Sequence, residues 1–345
     1  MNYLAPFALR NGHTQTLMAH LLAGPAPTLP ADRHRIVLAD GDAQVLHDSI
    51  PTGWCPGAPV AVIVHGLTGS HKSPMVARIA RKLYSQGIRV GRIDLRGAGA
   101  GFSLARKLYH VGRSDDLGAA CQLLANSSPG SPMLLVGLSL GANIVLKLAA
   151  ENAGMKLPLA GVWVACPPVN PGLCVAKLER QTGRIYDRNF VKALVSDWRA
   201  RKQLFPDLPD LFLKPSMSLR DYDAAVTAPI NGYRDVEHYY DANTTTHLIP
   251  TIKTPTTIVA CEDDPVVDVG PLRDLQIQLG KDHPTRIVLN RHGGHLGFLD
   301  MRVGGLRSRV DDAVALWAKE ILGPPPYCTS TNCQRQTPLF GTNAY

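Results

Sequence analysis

The sequence predicts an α/β fold with a mostly parallel, doubly wound sheet, an N-terminal antiparallel hairpin and a helical cap insertion. Short apolar runs alternate with amphipathic stretches through the first half of the chain. This alternation stops for roughly eighty residues and then resumes. Because strands that alternate with helices form a parallel sheet covered on both faces, the pattern favours one α/β domain with an insertion.

The composition is typical of a folded globular protein. The chain has 345 residues, of which 45% are hydrophobic and 19% charged, so it can form a large core. Its net charge of +8 comes from 36 basic residues spread among 28 acidic ones, which does not indicate a nucleic acid partner. The seven cysteines follow no recognisable disulfide spacing, although Cys328 and Cys333 could pair. We therefore expect a reduced, cytoplasmic environment.

The N-terminal segment does not have the pattern of a signal peptide. Arg10, Asn11, His13 and Gln15 interrupt its apolar residues, so a long hydrophobic region does not form. Elsewhere the sequence has no stretch of about twenty apolar residues. We therefore expect no transmembrane segment.

The first half of the chain predicts the hairpin and the start of the parallel sheet. Arg35–Ala39 and Ala43–Ile50 alternate in polarity on either side of the turn signal Asp40-Gly41-Asp42. The strands that follow are predicted at Pro59–Val64, Ile88–Asp94, Met133–Gly137 and Ala160–Ala165. The helices between them are predicted at Pro74–Gln86, Ser114–Leu124 and Ala142–Ala150.

The second half predicts the insertion and the end of the sheet. Val169–Pro250 contains one clear amphipathic helix, near Arg188–Phe205, and reads as a helical cap. The predicted elements after it are strands at Thr256–Ala260 and Arg286–Leu289 and a helix at Ser308–Leu322. We predict a domain over residues 1–322, with the cap at about 169–250, and a flexible tail at 323–345.

The segment Gly137-Leu-Ser139-Leu-Gly141, which we call the elbow, fits the G-x-S-x-G pattern between a predicted strand and a predicted helix. A nucleophilic serine in that context sits on a sharp turn that exposes its hydroxyl, and the glycines leave room for the strand and the helix to pack closely. The Leu140 amide at the start of the helix would stabilise an oxyanion. A tight turn that happens to contain a serine is the alternative interpretation.

An acid and a base follow two later strands. Asp264 follows the strand Thr256–Ala260, and His295 follows Arg286–Leu289. The order Ser139, Asp264, His295 is the one that α/β-hydrolases use, with the histidine as base and the aspartate as its partner. Asp263 and Glu262 are alternative acids, and if Asp264 is the acid we expect Asp263 to be a solvated neighbour.

The loop after the strand Pro59–Val64 reads His65-Gly66-Leu67-Thr68-Gly69-Ser70 and is the expected source of a second oxyanion donor. We predict the Leu67 amide as that donor and a structural role for His65. The pair His292 and His295 has H-x-x-H spacing but no obvious third ligand, so we predict no metal.

Gly97-Ala-Gly99-Ala-Gly101 superficially matches the start of a dinucleotide-binding fingerprint. It does not follow the first strand, and no predicted helix opens directly on it, so we expect no nucleotide there. We predict instead that Asp94–Gly97 forms a mobile loop beside the site.

Several motifs together resemble the YheT-like branch of the α/β-hydrolases over about residues 3–322. Besides the elbow and the His65 loop, they are Asn11-Gly12-His13-Thr14-Gln15-Thr16, Tyr109-His110, Leu219-Arg220-Asp221-Tyr222-Asp223, Thr227-Ala228-Pro229, Glu237-His238-Tyr239-Tyr240 and Gly293-Gly294-His295-Leu296-Gly297-Phe298. The resemblance implies a Ser139–Asp264–His295 triad and ester hydrolysis without a cofactor. Its eukaryotic relatives include phospholipases and medium-chain ester synthases.

These patterns predict a serine carboxylesterase that acts on a small-molecule ester, with acyl lipids among the candidates. Acyl transfer to an alcohol, phospholipase activity and ligand binding without turnover are the alternative functions. Leu194 and Trp198 share an apolar stripe of the cap helix with Phe190. This stripe forms either the core of the cap or a wall that contacts the acyl chain.

Overall fold

The structure is a computed structural model that describes residues 3–21, 24, 26–302 and 305–323. Within these residues, eight strands form the central sheet: β1 (Asp32–Val37), β2 (Ala43–Ser49), β3 (Val60–Val64), β4 (Arg89–Asp94), β5 (Met133–Leu138), β6 (Leu159–Ala165), β7 (Thr256–Cys261) and β8 (Thr285–Asn290). Their order is β1-β2-β4-β3-β5-β6-β7-β8. The pairs β1/β2 and β2/β4 are antiparallel and the others are parallel. The predicted fold class is confirmed.

Helices cover the sheet and fill the insertion. In the described chain they are α1 (Gly12–Leu21), α2 (Pro74–Ser85), α3 (Ser114–Asn126), α4 (Leu140–Met155), α5 (Pro171–Leu178), α6 (Arg184–Leu204), α7 (Leu219–Tyr222), α8 (Ala228–Ile230), α9 (Val236–Ala242), α10 (Gly270–Leu279) and α11 (Val310–Leu322). A π-helical segment, Asp223–Thr227, joins α7 to α8. Strands β9 (Leu299–Arg302) and β10 (Gly305–Ser308) form a separate antiparallel ribbon.

Both faces of the sheet are buried, which explains why its central strands are continuous apolar runs. In β3, Val62 and Val64 face one apolar cluster and Ala61 and Ile63 face another. Buried side chains of α3 and α4 complete the first cluster, and those of α2 and α11 complete the second. The carboxyl ends of the parallel strands therefore meet at one edge between two helical layers.

Two helices outside the insertion, α1 and α10, were not predicted from the sequence. The residues that α1 buries are Gly12 and Gln15, and those that α10 buries are Leu272 and Leu275. The buried residues of α1 form no apolar stripe, whereas Leu272 and Leu275 of α10 lie at i and i+3 and continue to Leu279 at i+7, which packs against the same cluster. Contacts with other parts of the fold, and not the local pattern, fix α1, whereas the stripe of α10 was a signal that sequence reasoning missed.

The cap, which we define as Val169–Pro250, contains α5–α9 between β6 and β7. The predicted helix corresponds to α6. Three of the shorter helices, α5, α7 and α9, begin at capping residues: Asn170 accepts a hydrogen bond from the Leu173 amide, Ser218 forms a capping box with Asp221, and Asp235 accepts from the His238 amide. Such helices are specified by their ends and by packing, because they are too short to show a periodic stripe.

The loop after β4, Asp94–Gly97, was predicted to be mobile, but its side chains are buried and Arg96 ties it to other parts of the fold. Arg96 is 2% exposed and binds both carboxylate oxygens of Asp116 at 2.7 Å. Its remaining nitrogen lies 2.6 Å from Asp40 and 3.1 Å from Asp42. A buried guanidinium with three carboxylate partners holds the loop against the start of the sheet.

The end of the chain was predicted to be a flexible tail, and apart from Gly323 this tail lies outside the described residues. Cys328 and Cys333 also lie outside them. In the part of the chain that is described, no helix combines the length and the apolar character that a membrane span requires.

Candidate active site

Ser139 lies on the turn between β5 and α4, with φ 53° and ψ −122°. A non-glycine residue in this conformation is strained, and such strain is typical of a functional position. The flanking glycines are required by close packing. A Cβ atom at Gly137 would lie 2.6 Å from the Ala142 Cα, and one at Gly141 would lie 2.4 Å from the His65 carbonyl oxygen.

The structure brings Ser139, His295 and Asp264 together. The His295 Nε2 lies 2.8 Å from the Ser139 Oγ, and the His295 Nδ1 lies 2.9 Å from the Asp264 Oδ2. Because Nδ1–H donates to the carboxylate, Nε2 is left to accept the serine proton. This arrangement can activate the hydroxyl as a nucleophile.

Asp264 is 1% exposed, and its environment favours the carboxylate form. Burial by itself would raise its pKa, but the charge and the hydrogen bond of His295 lower it, as do the amides of Val267 and Val266. These amides donate to Oδ1 at 2.9 Å and 2.8 Å respectively. The pKa of Asp264 is consequently below its ordinary value.

The alternative acids lie elsewhere. Asp263 accepts a hydrogen bond from the Gly294 amide at 2.9 Å, and its other oxygen lies 3.4 Å from the His292 Nδ1. It was predicted to be a solvated neighbour, but its side chain is only 20% exposed and ties down the loop that carries His295. Glu262 pairs with Arg273 at the surface.

The two predicted oxyanion donors are backbone amides beside Ser139. Leu140 is the first residue of α4, so its N–H has no carbonyl partner within the helix. Leu67 follows Gly66, where a Cβ atom would lie 3.1 Å from the Ser139 Cβ. The loop with Leu67 therefore runs directly beside the serine, and glycine permits that approach.

His65 is buried and supports the same loop. Its Nε2 accepts a hydrogen bond from the Leu95 amide at 3.3 Å, and its Nδ1 donates to the Gly66 carbonyl at 2.7 Å. Burial lowers the pKa of His65, which favours the neutral ring that this bonding pattern needs.

Sequence reasoning missed Thr16. The Thr16 Oγ1 accepts a hydrogen bond from the His295 amide at 2.8 Å and donates to the Gly12 carbonyl at 2.7 Å. A Cβ atom at Gly294 would lie 2.3 Å from the same carbonyl, so α1 packs tightly on the histidine loop. The Asn11–Thr16 motif was the available signal, but nothing in it indicated which later loop it contacts.

Ser139 opens on a cavity of about 110 Å³ between the sheet and the cap. The cavity has mostly apolar walls, to which α6 contributes Phe190 and Leu194. Trp198 does not line the cavity and is instead buried, at 3% exposure, within the apolar cluster of the cap. The acidic side chains that line the cavity are Asp197 and Asp223.

Two groups of potential metal ligands have donor atoms within 4.8 Å of one another in the described chain. One is Cys166 with Asp264 and His295, where the last two are already hydrogen-bonded to each other. The other consists of His47, His71 and Asp94. His292 belongs to neither group, since it faces Asp263.

Comparison with known proteins identifies the family. The model of the alpha/beta hydrolase family matches residues 61–304, which span β3, the elbow and the loop with His295. The chain belongs to the alpha/beta hydrolase family.

Within this family the chain is similar to YheT-like proteins. It is 27% identical to "Putative esterase YheT" of Escherichia coli, and the match covers 88% of this chain and 89% of that protein. It is 25% identical to the mouse protein "Phospholipase ABHD3" over 70% of this chain and 59% of that protein. For the "Medium-chain fatty acid ethyl ester synthase/esterase 2" of Saccharomyces cerevisiae the identity is 26%, with coverages of 70% and 58%. The matches thus span less than two thirds of the two eukaryotic relatives.

Solved structures show the same fold. A 2,6-dihydroxy-pseudo-oxynicotine hydrolase superposes with a TM-score of 0.58 and 19% identity, covering 90% of this chain and 72% of the other. The Pyrococcus furiosus esterase Pf2001 superposes with a TM-score of 0.57 and 15% identity, covering 86% and 92%. At these identities the likeness concerns the hydrolase fold alone.

Proposed function

We propose that this protein is a serine hydrolase that cleaves carboxylic esters through Ser139, His295 and Asp264. The main support is a continuous chain of hydrogen bonds. It runs from the Ser139 Oγ to the His295 Nε2 at 2.8 Å and from the His295 Nδ1 to the Asp264 carboxylate at 2.9 Å. Membership of the hydrolase family and relatives named as esterases support the same activity.

In this mechanism His295 removes the proton of Ser139 as the Oγ attacks the ester carbonyl. The Leu67 and Leu140 amides donate hydrogen bonds to the oxyanion of the tetrahedral intermediate. Collapse of the intermediate expels the alcohol, which takes the proton from His295. Water activated by His295 then hydrolyses the acyl-enzyme, and no cofactor is needed.

Transfer of the acyl group to an alcohol is the second candidate, because the same acyl-enzyme can react with either acceptor. The relative named as an ester synthase/esterase favours this alternative. The name of the phospholipase relative makes an acyl lipid a candidate substrate. The apolar cavity beside Ser139 is consistent with the acyl chain of a simple ester and with that of an acyl lipid.

The test combines an ester series with an active-site label. We expect hydrolysis of p-nitrophenyl esters between acetate and palmitate, and labelling by a fluorophosphonate. Ser139→Ala should lower kcat by about 10⁴-fold or more, abolish labelling and leave the melting temperature near that of the wild type. Addition of ethanol would reveal acyl transfer as ethyl ester. A wild-type protein that binds esters without turnover would instead support the non-catalytic alternative.

A further inference from the structure

Asp94, the last residue of β4, is a buried carboxylate that the proposed reaction does not use. It is 0% exposed, and its Oδ2 accepts hydrogen bonds from the His47 Nε2 at 2.9 Å, the His71 Nδ1 at 2.7 Å and the Ala100 amide at 2.9 Å. Its Oδ1 accepts from the His71 amide at 2.7 Å. Burial would raise its pKa, but the bonds from His47 and His71 outweigh burial and keep the pKa below its ordinary value.

Within Gly97-Ala-Gly99-Ala-Gly101, Gly99 is the glycine that lies against this carboxylate. Gly99 has φ 50°, and a Cβ atom there would lie 2.5 Å from the Asp94 carboxylate oxygens. The Ala100 amide, which a phosphate-binding loop would present to its ligand, points at Asp94 instead. Gly99 and Ala100 therefore bring the backbone close to an internal anion.

The geometry of the two histidines favours hydrogen bonding over metal ligation. Their rings stack with centroids 3.4 Å apart and an angle of 14° between the planes. A metal ion binds in the plane of each imidazole, and one ion cannot lie in both of two parallel, stacked planes. Both rings instead direct an N–H at the same carboxylate oxygen.

His71 lies at the far end of the loop that carries the Leu67 amide. This loop, residues His65–His71, starts at the end of β3 and turns back through a hydrogen bond from the Gly69 amide to the Gly66 carbonyl. Its middle is held by the Tyr109 hydroxyl, which accepts from the Thr68 amide at 2.6 Å. Its far end is held by Asp94 through two hydrogen bonds to His71.

We propose that Asp94 is a positioning residue for the oxyanion hole, acting through His71 on the loop that presents the Leu67 amide. This role rests on the proposed esterase function. The loop passes so close to Ser139 that a Cβ atom at Gly66 would lie 3.1 Å from the Ser139 Cβ, so a shift of the loop would change the position of the Leu67 N–H relative to the oxyanion. Such a shift weakens binding of the transition state without weakening binding of the ground-state ester.

The first test is Asp94→Asn, which keeps the volume of the side chain but replaces one acceptor oxygen by an amide group that donates. With p-nitrophenyl butyrate we expect kcat to fall about 10- to 100-fold while KM stays within about twofold. The affinity for a trifluoromethyl ketone, which binds as a tetrahedral oxyanion, should fall by a similar factor.

The matched control is Asp48→Asn. Asp48, on β2, is 2% exposed and binds Arg89, the first residue of β4, so it is a similarly buried carboxylate that contacts the opposite end of β4. We expect this variant to lower the melting temperature and to keep kcat. If both variants lower kcat equally for the same loss of melting temperature, the role of Asp94 is general stability and the proposal is wrong.

A second pair of variants decides the question if Asp94→Asn does not fold. His71→Asn places an amide N–H near the position of the imidazole Nδ1, whereas His71→Ala removes this donor. The proposal requires a near wild-type kcat for His71→Asn. For His71→Ala it requires a reduced kcat with an unchanged KM. If His71→Asn and His71→Ala have equal kcat, the proposed role of Asp94 is wrong. This holds even if Ser139→Ala abolishes turnover and the esterase mechanism is therefore correct. Turnover that survives Ser139→Ala would instead overturn the esterase mechanism itself.

Discussion

At the scale of single residues, three side chains from two other parts of the chain orient His295. Asp264 holds the ring, Thr16 accepts from the His295 amide, and Asp263 accepts from the neighbouring Gly294 amide. The two adjacent aspartates therefore have different tasks, since Asp264 contacts the imidazole and Asp263 contacts the backbone of the loop. The catalytic histidine needs the correct tautomer and the correct position, so contacts fix both its imidazole ring and the backbone of its loop.

This division predicts different effects for the two aspartates. Asp264→Asn should lower kcat on the order of 10²- to 10⁴-fold, because an amide in place of the carboxylate favours the wrong imidazole tautomer and leaves the imidazolium without its counter-charge. Asp263→Asn keeps an oxygen that can accept from Gly294 and should lower kcat less than about tenfold. Steady-state kinetics of both variants with one p-nitrophenyl ester checks this. The reverse ranking would assign the acid to Asp263.

At the scale of elements, α6 presents different parts of one apolar stripe to different surroundings. Leu194 and Phe190 line the cavity next to Ser139, whereas Trp198, one turn further along, packs in the cap cluster. The helix periodicity puts all three on the same side, but the packing of α5–α9 decides which of them contacts the cavity.

We therefore expect Leu194→Ala to change substrate preference and Trp198→Ala to change stability. Enlarging the cavity at Leu194 should raise the ratio of kcat/KM for longer over shorter acyl esters several-fold, since each buried methylene contributes about 0.8 kcal/mol. Loss of the buried Trp198 side chain should cost about 3–5 kcal/mol of unfolding free energy. The chain-length profile and the melting temperature of both variants test this. A changed profile in Trp198→Ala with an unchanged melting temperature would contradict it.

At the scale of the whole molecule, the cap introduces a buried acid that links stability to pH. Asp223 is 7% exposed and accepts hydrogen bonds from the Thr227 hydroxyl at 2.6 Å and the Tyr240 hydroxyl at 2.9 Å. Burial raises its pKa to about 6, despite the opposing effect of these hydrogen bonds. The folded protein therefore holds a proton on Asp223 over a pH range in which the unfolded chain has released it.

The sign of the pH dependence follows from this difference in bound protons. Between about pH 4 and pH 6 the folded state binds more protons at Asp223 than the unfolded state, so the unfolding free energy falls as pH rises, by up to about 3 kcal/mol. Asp223→Asn should remove this contribution. Denaturant unfolding of both proteins at pH 4, 5, 6 and 7 measures it, and a difference between the two that stays constant over this range would contradict the assignment.

The sequence by itself determined the alternation of the sheet and the order of Ser139, Asp264 and His295. These features are predictable because each is local: a strand pattern followed by a residue of known chemistry. Topology then adds one general rule, that the carboxyl ends of parallel strands meet at one edge. The fold class follows from the same local patterns.

Only the tertiary structure decided which distant groups support those residues. Thr16 meets His295 across 279 positions of the chain, and His47, on β2, meets Asp94 on β4. Neither α1 nor the short cap helices have an apolar periodicity from which they could be predicted. Contacts of this kind depend on the summed packing of many elements, so no local pattern encodes them. The same reason explains why Leu194 lies at the cavity and Trp198 does not.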